Sequence, residues 1–315
     1  MALCDIAFMG GGVRGIALAG AIIELEKKGY TFRNVAGVSA GAIAACLVAA
    51  GFSGLEIENE LSNLDYNKFK SKDYRALTIL GDYINLRRDF GVYSADYFEN
   101  WLYSVLRKKS VYTFSDIKIN SLKVTVADIE NKRLLVFPDD LYLFGIDYKN
   151  FSLAKAVRAS MSIPLFYEPF RLKDKSGTEH ILVDGGIFCN YPIWLLDDGC
   201  KKPEVPIFGA VFEEGDFDNP KRKSNNKNPY KLVDYIKKII GAALDASGHG
   251  YARIVKGNDY RTIKISVAVD NKNINSTDFD ISKKDSAALF ENGKTATKNL
   301  LGSFDFDKWA KLRSE

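Results

Sequence analysis

The sequence predicts an α/β protein with a mostly parallel central sheet, and three observations carry that reading. An apolar strand over residues 3–9 runs into Gly10-Gly11-Gly12-Val13-Arg14-Gly15 and then into a helical stretch. A second apolar strand, 32–38, runs into Gly37-Val38-Ser39-Ala40-Gly41 and an apolar, small-residue helix that ends near Ala50. Further apolar or β-branched runs recur at 122–128, 181–183 and 205–212. Strand–loop–helix repeated twice implies parallel strands joined by a right-handed crossover. The Gly loop and Ser39 then both lie at the carboxyl ends of their strands, where such sheets place their sites.

Taken in order, the first helix is predicted from about Arg14 to Lys28, with Gly29 as its C-terminal stop. Residues 53–115 change character, interleaving Tyr and Phe with Lys68, Lys70, Lys72, Arg75, Arg87 and Arg88. Two readings stay open there: a helical cap whose aromatics touch lipid, or aromatics that pack on the sheet. Within it, Ser94 is predicted to cap a helix through Trp101 to about Lys108. The run 133–137 is expected to pair with 122–128 as a hairpin across Glu130-Asn131-Lys132. A helix is expected over 152–160, and Pro164 and Pro169 force an extended path after it. Residues 213–230 are polar and Pro- and Asn-containing, a loop rather than a boundary, because a helix at 232–244 and a strand at 262–267 continue the layers. Ser282 with Asp285 makes a capping box for a last helix over about 283–300. The whole chain, 1–315, is thus expected to form one domain.

Bulk properties narrow the function. A net charge of +4 falls short of the strongly basic face of a nucleic-acid binder, yet suits transient contact with an anionic membrane surface. The four cysteines lack C-x-x-C spacing and there are only two histidines, so no structural metal site and no cofactor are expected. The first residues lack a basic and apolar leader, and no apolar run approaches the ~20 residues needed to span a bilayer. A cytoplasmic location, peripheral at membranes, is the expectation; export without a cleavable signal stays open. Oligomeric state is not legible.

Chemistry concentrates in three stretches. In G-x-S-x-G the serine occupies the apex of a tight strand-to-helix turn, and the following helix points its free N–H groups at the hydroxyl. Ser39 is therefore the candidate nucleophile. The Gly10 to Gly15 run has rival readings. It matches the G-x-G-x-x-G of a dinucleotide site, although no acid stands near Arg33, which suits only a 2′-phosphate. A nucleotide-binding regulatory protein is the alternative function on that basis. Equally, consecutive glycine N–H groups at a helix start make an oxyanion hole from Gly10, Gly11 and Gly12, or the run is simply a tight turn. Finally, strand 181–183 ends at Asp184-Gly185-Gly186, an ordinary turn or a carboxylate held at the edge that carries Ser39. A triad would need a histidine; His180 lies on Asp184's own strand and His249 between two glycines, so a direct carboxylate base is favoured.

In this order the three stretches resemble the patatin-like phospholipase family, which carries D-G-G-G-x-[RK]-G, then G-x-S-x-G, then D-G-[AG]. Ala159-Ser160 with Pro164, Phe166 and Pro169 is similar to that family's A-S-x-x-x-P segment. Asp278-Phe279-Asp280-Ile281-Ser282 is similar to its C-terminal end. Met9 stands where plant members have aspartate, and 53–115 matches no family pattern. The resemblance implies a three-layer α/β fold with helices on both faces of the sheet. It implies a lipid acyl hydrolase acting on phospholipid or other acyl-ester lipids through a Ser39–Asp184 dyad and an acyl-enzyme. Gly10, Gly11 and Gly12 would form the oxyanion hole. Gly15, Gly37, Gly41, Gly185 and Gly186 complete the motifs, and Arg14 orients the loop or meets a phosphate.

Overall fold

In a computed structural model, residues 2–65, 68, 90–118, 121–197, 203–215, 236, 239–244 and 257–314 are described. Strands β1 (Ala2–Phe8), β2 (Tyr30–Gly37) and β4 (Leu122–Asp128) lie side by side in parallel. On the other side of β1 follow β9 (Ile207–Glu213) and β10 (Thr262–Ser266), also parallel. Strands β8 (Glu179–Asp184) and β7 (Phe170–Lys173) extend the β4 side, giving the order β10-β9-β1-β2-β4-β8-β7. These last pairings are antiparallel, as is the hairpin of β4 with β5 (Arg133–Phe137) across a turn where Lys132 has φ 52°. A parallel core with an antiparallel flank is common in large α/β sheets. A short parallel pair, β3 (Gly91–Tyr93) with β6 (Leu165–Tyr167), stands apart from the main sheet.

Helices flank the sheet. The predicted first helix divides into a single 3₁₀ turn over Gly12–Gly15 and α1 over Ile16–Lys27, ending at Gly29 with φ +92°. Helix α2 (Ala40–Ala49) is buried from Ala40 to Leu47, as its all-round apolar composition requires. Next come α3 (Gly54–Ser62), capped by a reciprocal Ser53–Glu56 box, and α4 (Asp96–Arg107). Ser94 misses the capping position: Ala95 occupies it, and the Ser94 hydroxyl instead accepts the Asp96 N–H at 3.2 Å. Phe98, Leu102, Val105 and Leu106 turn inward on α4, so this part of the aromatic segment serves the core. Tyr66, Phe69, Lys70, Lys72, Tyr74, Arg75, Tyr83, Arg87 and Arg88 lie outside the described residues. Helix α5 (Leu153–Ser160) starts from the Ser152 cap, and α6 (Lys283–Ser303) from Ser282, whose hydroxyl accepts the Asp285 N–H at 3.0 Å. The chain closes with α7 (Phe306–Ser314). Of the helix expected at 232–244, residues 236 and 239–244 are described, and they are helical. No helix of the described residues is long and apolar enough to cross a membrane.

Register across the sheet sets the site. Phe8 pairs with Gly37, Gly37 with Val124, and Val126 with Asp184. Ser39, two residues beyond Gly37, therefore stands at the height of Asp184. Gly10, two beyond Phe8, shares that height. Three segments far apart in sequence converge on one rim because each strand stops at the same level.

Candidate active site

Ser39 has φ 53° and ψ −125°, a left-handed conformation that L residues adopt only under constraint. The constraint comes from both flanking glycines. A Cβ on Gly37 would lie 2.2 Å from the Gly41 carbonyl oxygen, and one on Gly41 would lie 2.3 Å from that of Phe8. Strand, turn and helix can close this tightly only when both positions lack side chains. The Ser39 N–H donates to Ser160 Oγ at 2.9 Å, and that hydroxyl donates to the Thr125 carbonyl at 2.8 Å. Ser160 is fully buried, so its hydroxyl is a brace that ties the turn to β4. Sequence reasoning quoted Ser160 without a role; the brace spans three elements and has no local signal.

Asp184 is completely buried at the end of β8. Its Oδ1 accepts the Gly186 N–H at 2.8 Å, whereas Oδ2 is buried with no hydrogen bond of ordinary geometry. Burial pushes its pKa up from 3.8 to about 7, opposed by the Ser39 hydroxyl facing the carboxylate and by the Gly186 N–H. Ser39 and Asp184 line the same small cavity of about 20 Å³, together with Gly10, Gly11, Gly12 and Asn190.

The three glycines divide their work. Gly10 N–H is engaged, donating to the Asn190 carbonyl at 3.2 Å. No acceptor among the described residues pairs with the backbone N–H of Gly11 or Gly12. Gly12 has φ +55°, and a Cβ there would lie 1.9 Å from the Ser276 carbonyl oxygen. That same carbonyl accepts the Val13 N–H at 3.1 Å. Arg14 is buried, with Nε donating to the Ile274 carbonyl at 2.7 Å and a terminal nitrogen 3.7 Å from Glu214. The loop is thus held by residues 200 or more positions away in the chain. A Cβ on Gly15 would lie 3.3 Å from the Ala40 methyl, and one on Gly185 would lie 2.4 Å from the Thr125 carbonyl oxygen.

Arg33, the residue considered for a 2′-phosphate, is paired with Asp5 at 2.7 Å and Glu204 at 3.2 Å. With Ser276 seated on Gly12 as well, the dinucleotide reading of the loop gains nothing from the geometry. His180 is remote from Ser39 in function: its ring nitrogens face Asp128 at 3.1 Å and Asp174 at 3.4 Å. His249 lies outside the described residues. Asn190 went unnoticed in the sequence. Its carbonyl and its side chain both meet Gly10, the latter at 3.4 Å, and it follows the D-G-G turn by only four residues. Leu244 also lines the cavity, and a Cβ on Gly186 would lie 2.7 Å from it.

A second, apolar cavity of about 30 Å³ also has Ser39 in its wall, with Ile43, Leu61, Leu64, Ile163 and Phe279. Ser39, Gly12 and Ile163 are common to both cavities. The serine therefore stands on the partition between a polar and an apolar compartment.

A family model described as Patatin-like phospholipase matches residues 6–197. An uncharacterized Bacillus subtilis (strain 168) protein, YqhO, is 35% identical over 303 residues, covering 96% of this chain and 99% of its own. A protein of Invertebrate iridescent virus 6 named probable lipid hydrolase 463L is 23% identical, covering 60% of this chain and 61% of its own. Among solved structures, VipD from Legionella pneumophila superposes with a TM-score of 0.57 at 18% identity, covering 95% of this chain and 66% of that one. This chain spans about two thirds of VipD's length.

Proposed function

This chain belongs to the patatin-like phospholipase family, and from that footing we propose that it is a lipid acyl hydrolase of phospholipase A or lysophospholipase type. It cleaves carboxylic esters of membrane lipids through Ser39 and Asp184. One observation carries the reading: a serine held in a strained strand-to-helix turn faces a wholly buried carboxylate in a shared cavity. The name of the viral relative, probable lipid hydrolase, supports the same class.

The chemistry follows from the groups. Ser39 Oγ attacks the ester carbonyl carbon as its proton passes to Asp184 Oδ2, the oxygen Gly186 leaves free. A carboxylate shifted to about 7 is a far stronger base than an ordinary one, yet is still half ionised near neutrality. The new oxyanion is met by the Gly11 and Gly12 N–H groups, which have no acceptor among the described residues. Gly10, whose N–H is already spent on Asn190, positions the loop instead. Collapse of the tetrahedral species breaks the ester C–O bond, and the departing alcohol takes the proton from Asp184. Water then attacks the acyl-serine; Asp184 takes its proton and returns one to Ser39 Oγ, freeing the fatty acid. The positive end of α2 favours the serine oxygen throughout.

Such a substrate lies in a bilayer, so transient contact with a membrane surface from a cytoplasmic location belongs to the same proposal. Of the lysines interleaved with the aromatics of 53–115, Lys68 lies 4.0 Å from Asp65 and over the Tyr97 ring. Lys70 and Lys72 lie outside the described residues. The test is covalent labelling with a fluorophosphonate, mapped by peptide mass spectrometry, beside hydrolysis of a defined phospholipid panel. Label on Ser39 and release of fatty acid are expected. Absence of both, in folded protein on detergent-dispersed lipid, refutes the proposal.

A further inference from the structure

The apolar cavity beside Ser39 shares part of its wall with another space. Leu61, Leu64 and Phe279 also line a much larger surface groove of about 650 Å³. That groove runs between the end of α3 and the stretch from Phe279 to Phe290, with Ile16, Ile281 and Phe290 contributing apolar surface. Leu64 and Phe279 are buried at the partition, and the Phe279 ring leans on Phe166 and Tyr167 at 6.4 Å between centroids. Polar residues, among them Glu58, Asp280 and Lys283, rim the groove. The three spaces form a series: polar cavity, Ser39, apolar cavity, then groove.

We infer that this series is the acyl route, and that Leu64 and Phe279 set the acyl-chain length the protein selects. The inference rests on the reading that Ser39 attacks a lipid ester. An ester held for attack is divided at its carbonyl. Its alcohol side meets Asp184, which must protonate it, so it occupies the polar cavity. Its acyl chain is left with the apolar side, where Ile43, Ile163 and Leu61 surround the first methylenes. A cavity of about 30 Å³ holds little more than one such group, so a longer chain passes Leu64 and Phe279 into the groove. Chains too short to cross the partition forfeit the groove's apolar contacts. Each methylene buried there is worth about a fourfold gain in affinity. The route explains why a segment with no family pattern borders the site: α3, at the start of 53–115, supplies one wall, so chain selection is written in this chain's own variable stretch.

The test separates route from reaction. The Ser39→Ala protein, which cannot turn over, is titrated with a fluorescent polyene fatty acid displaced by saturated acids from butanoate to dodecanoate. Affinity is expected to rise about two- to fourfold per methylene over that range. In protein with Ser39 intact, nitrophenyl esters of the same acids give the ratio of kcat/KM for dodecanoyl over butanoyl. Leu64→Trp at the partition and Ile281→Trp in the partly exposed groove should each lower that ratio about tenfold or more. Circular dichroism checks folding, and either folded variant decides the matter. Affinity independent of chain length, or an unchanged ratio in a folded variant, overturns the route. Length-dependent binding without ester hydrolysis refutes the proposed reaction and leaves the route standing.

Discussion

Replacing Asp184 by asparagine should abolish hydrolysis while making the protein more stable, and the gain should depend on pH. The carboxylate ionises at 3.8 ordinarily and at about 7 when buried in the fold. A folded-state pKa above the unfolded one means the native protein binds more protons between those values. Stability conferred by Asp184 is therefore greatest below about 4 and falls as pH rises toward 7. At 1.36 kcal/mol per unit, the full cost of holding the charged form is about 4 kcal/mol above pH 7. At pH 5 only the first part of that cost has been incurred, about 2 kcal/mol by the same relation. Asparagine is isosteric and neutral at every pH, and its side-chain oxygen can still accept the Gly186 N–H. Urea denaturation of both proteins at pH 5 and pH 8 should show the variant's advantage growing by about 2–3 kcal/mol between them. In parallel, kcat/KM of the unaltered protein should climb with pH through about 7, as a base that must lose its proton requires. A pH-independent stability difference, with an acid limb near 4, would refute the argument that burial tunes this base.

Ser39→Ala should lose turnover beyond background with stability within about 1 kcal/mol of the parent, seen by combining an ester assay with thermal melting. Ser160→Ala removes the acceptor for the Ser39 N–H and should cost about 1–3 kcal/mol; kcat should fall, and rescue by Ser160→Thr distinguishes lost bracing from lost folding. Gly12→Ala forces a methyl onto the Ser276 carbonyl at positive φ, so hydrolysis should disappear and the melting temperature should drop. His180→Ala should keep hydrolysis, because its ring serves Asp128 and Asp174 instead of Ser39; loss equal to that of Asp184→Asn would restore a triad.

The Ser39 turn was legible from five residues because its cause is local. Two glycines, one apolar strand before and one apolar helix after leave the backbone a single close-packed path. The same holds for the Gly29 stop, the Ser282 cap and the hairpin at Lys132, each decided within four or five residues. The family, too, was readable, since it resides in the spacing and order of short motifs. Ser94 marks the limit of such reasoning: capping depends on a one-residue offset in where the helix begins.

What tertiary structure alone decided is who meets whom. From sequence the D-G-G turn is either an ordinary turn or a carboxylate on the edge that carries Ser39, and the fold brings Asp184 to that edge. It arrives there on an antiparallel strand, because direction depends on the connection through β6 and β7 rather than on the strand's own residues. Asn190 takes the Gly10 N–H, and Ser276 and Ile274 hold the Gly loop from far down the chain. Leu64 and Phe279 close an apolar space whose walls come from five separate segments. Sequence alone determined the local turns and the reactive residue types, because short-range sterics and hydrogen bonding act between neighbours. Pairing, register and burial determined which glycine N–H groups are left without an acceptor among the described residues, the raised pKa of Asp184 and the cavities beside Ser39. Those properties are sums over atoms that become neighbours only when the sheet and its helices have packed.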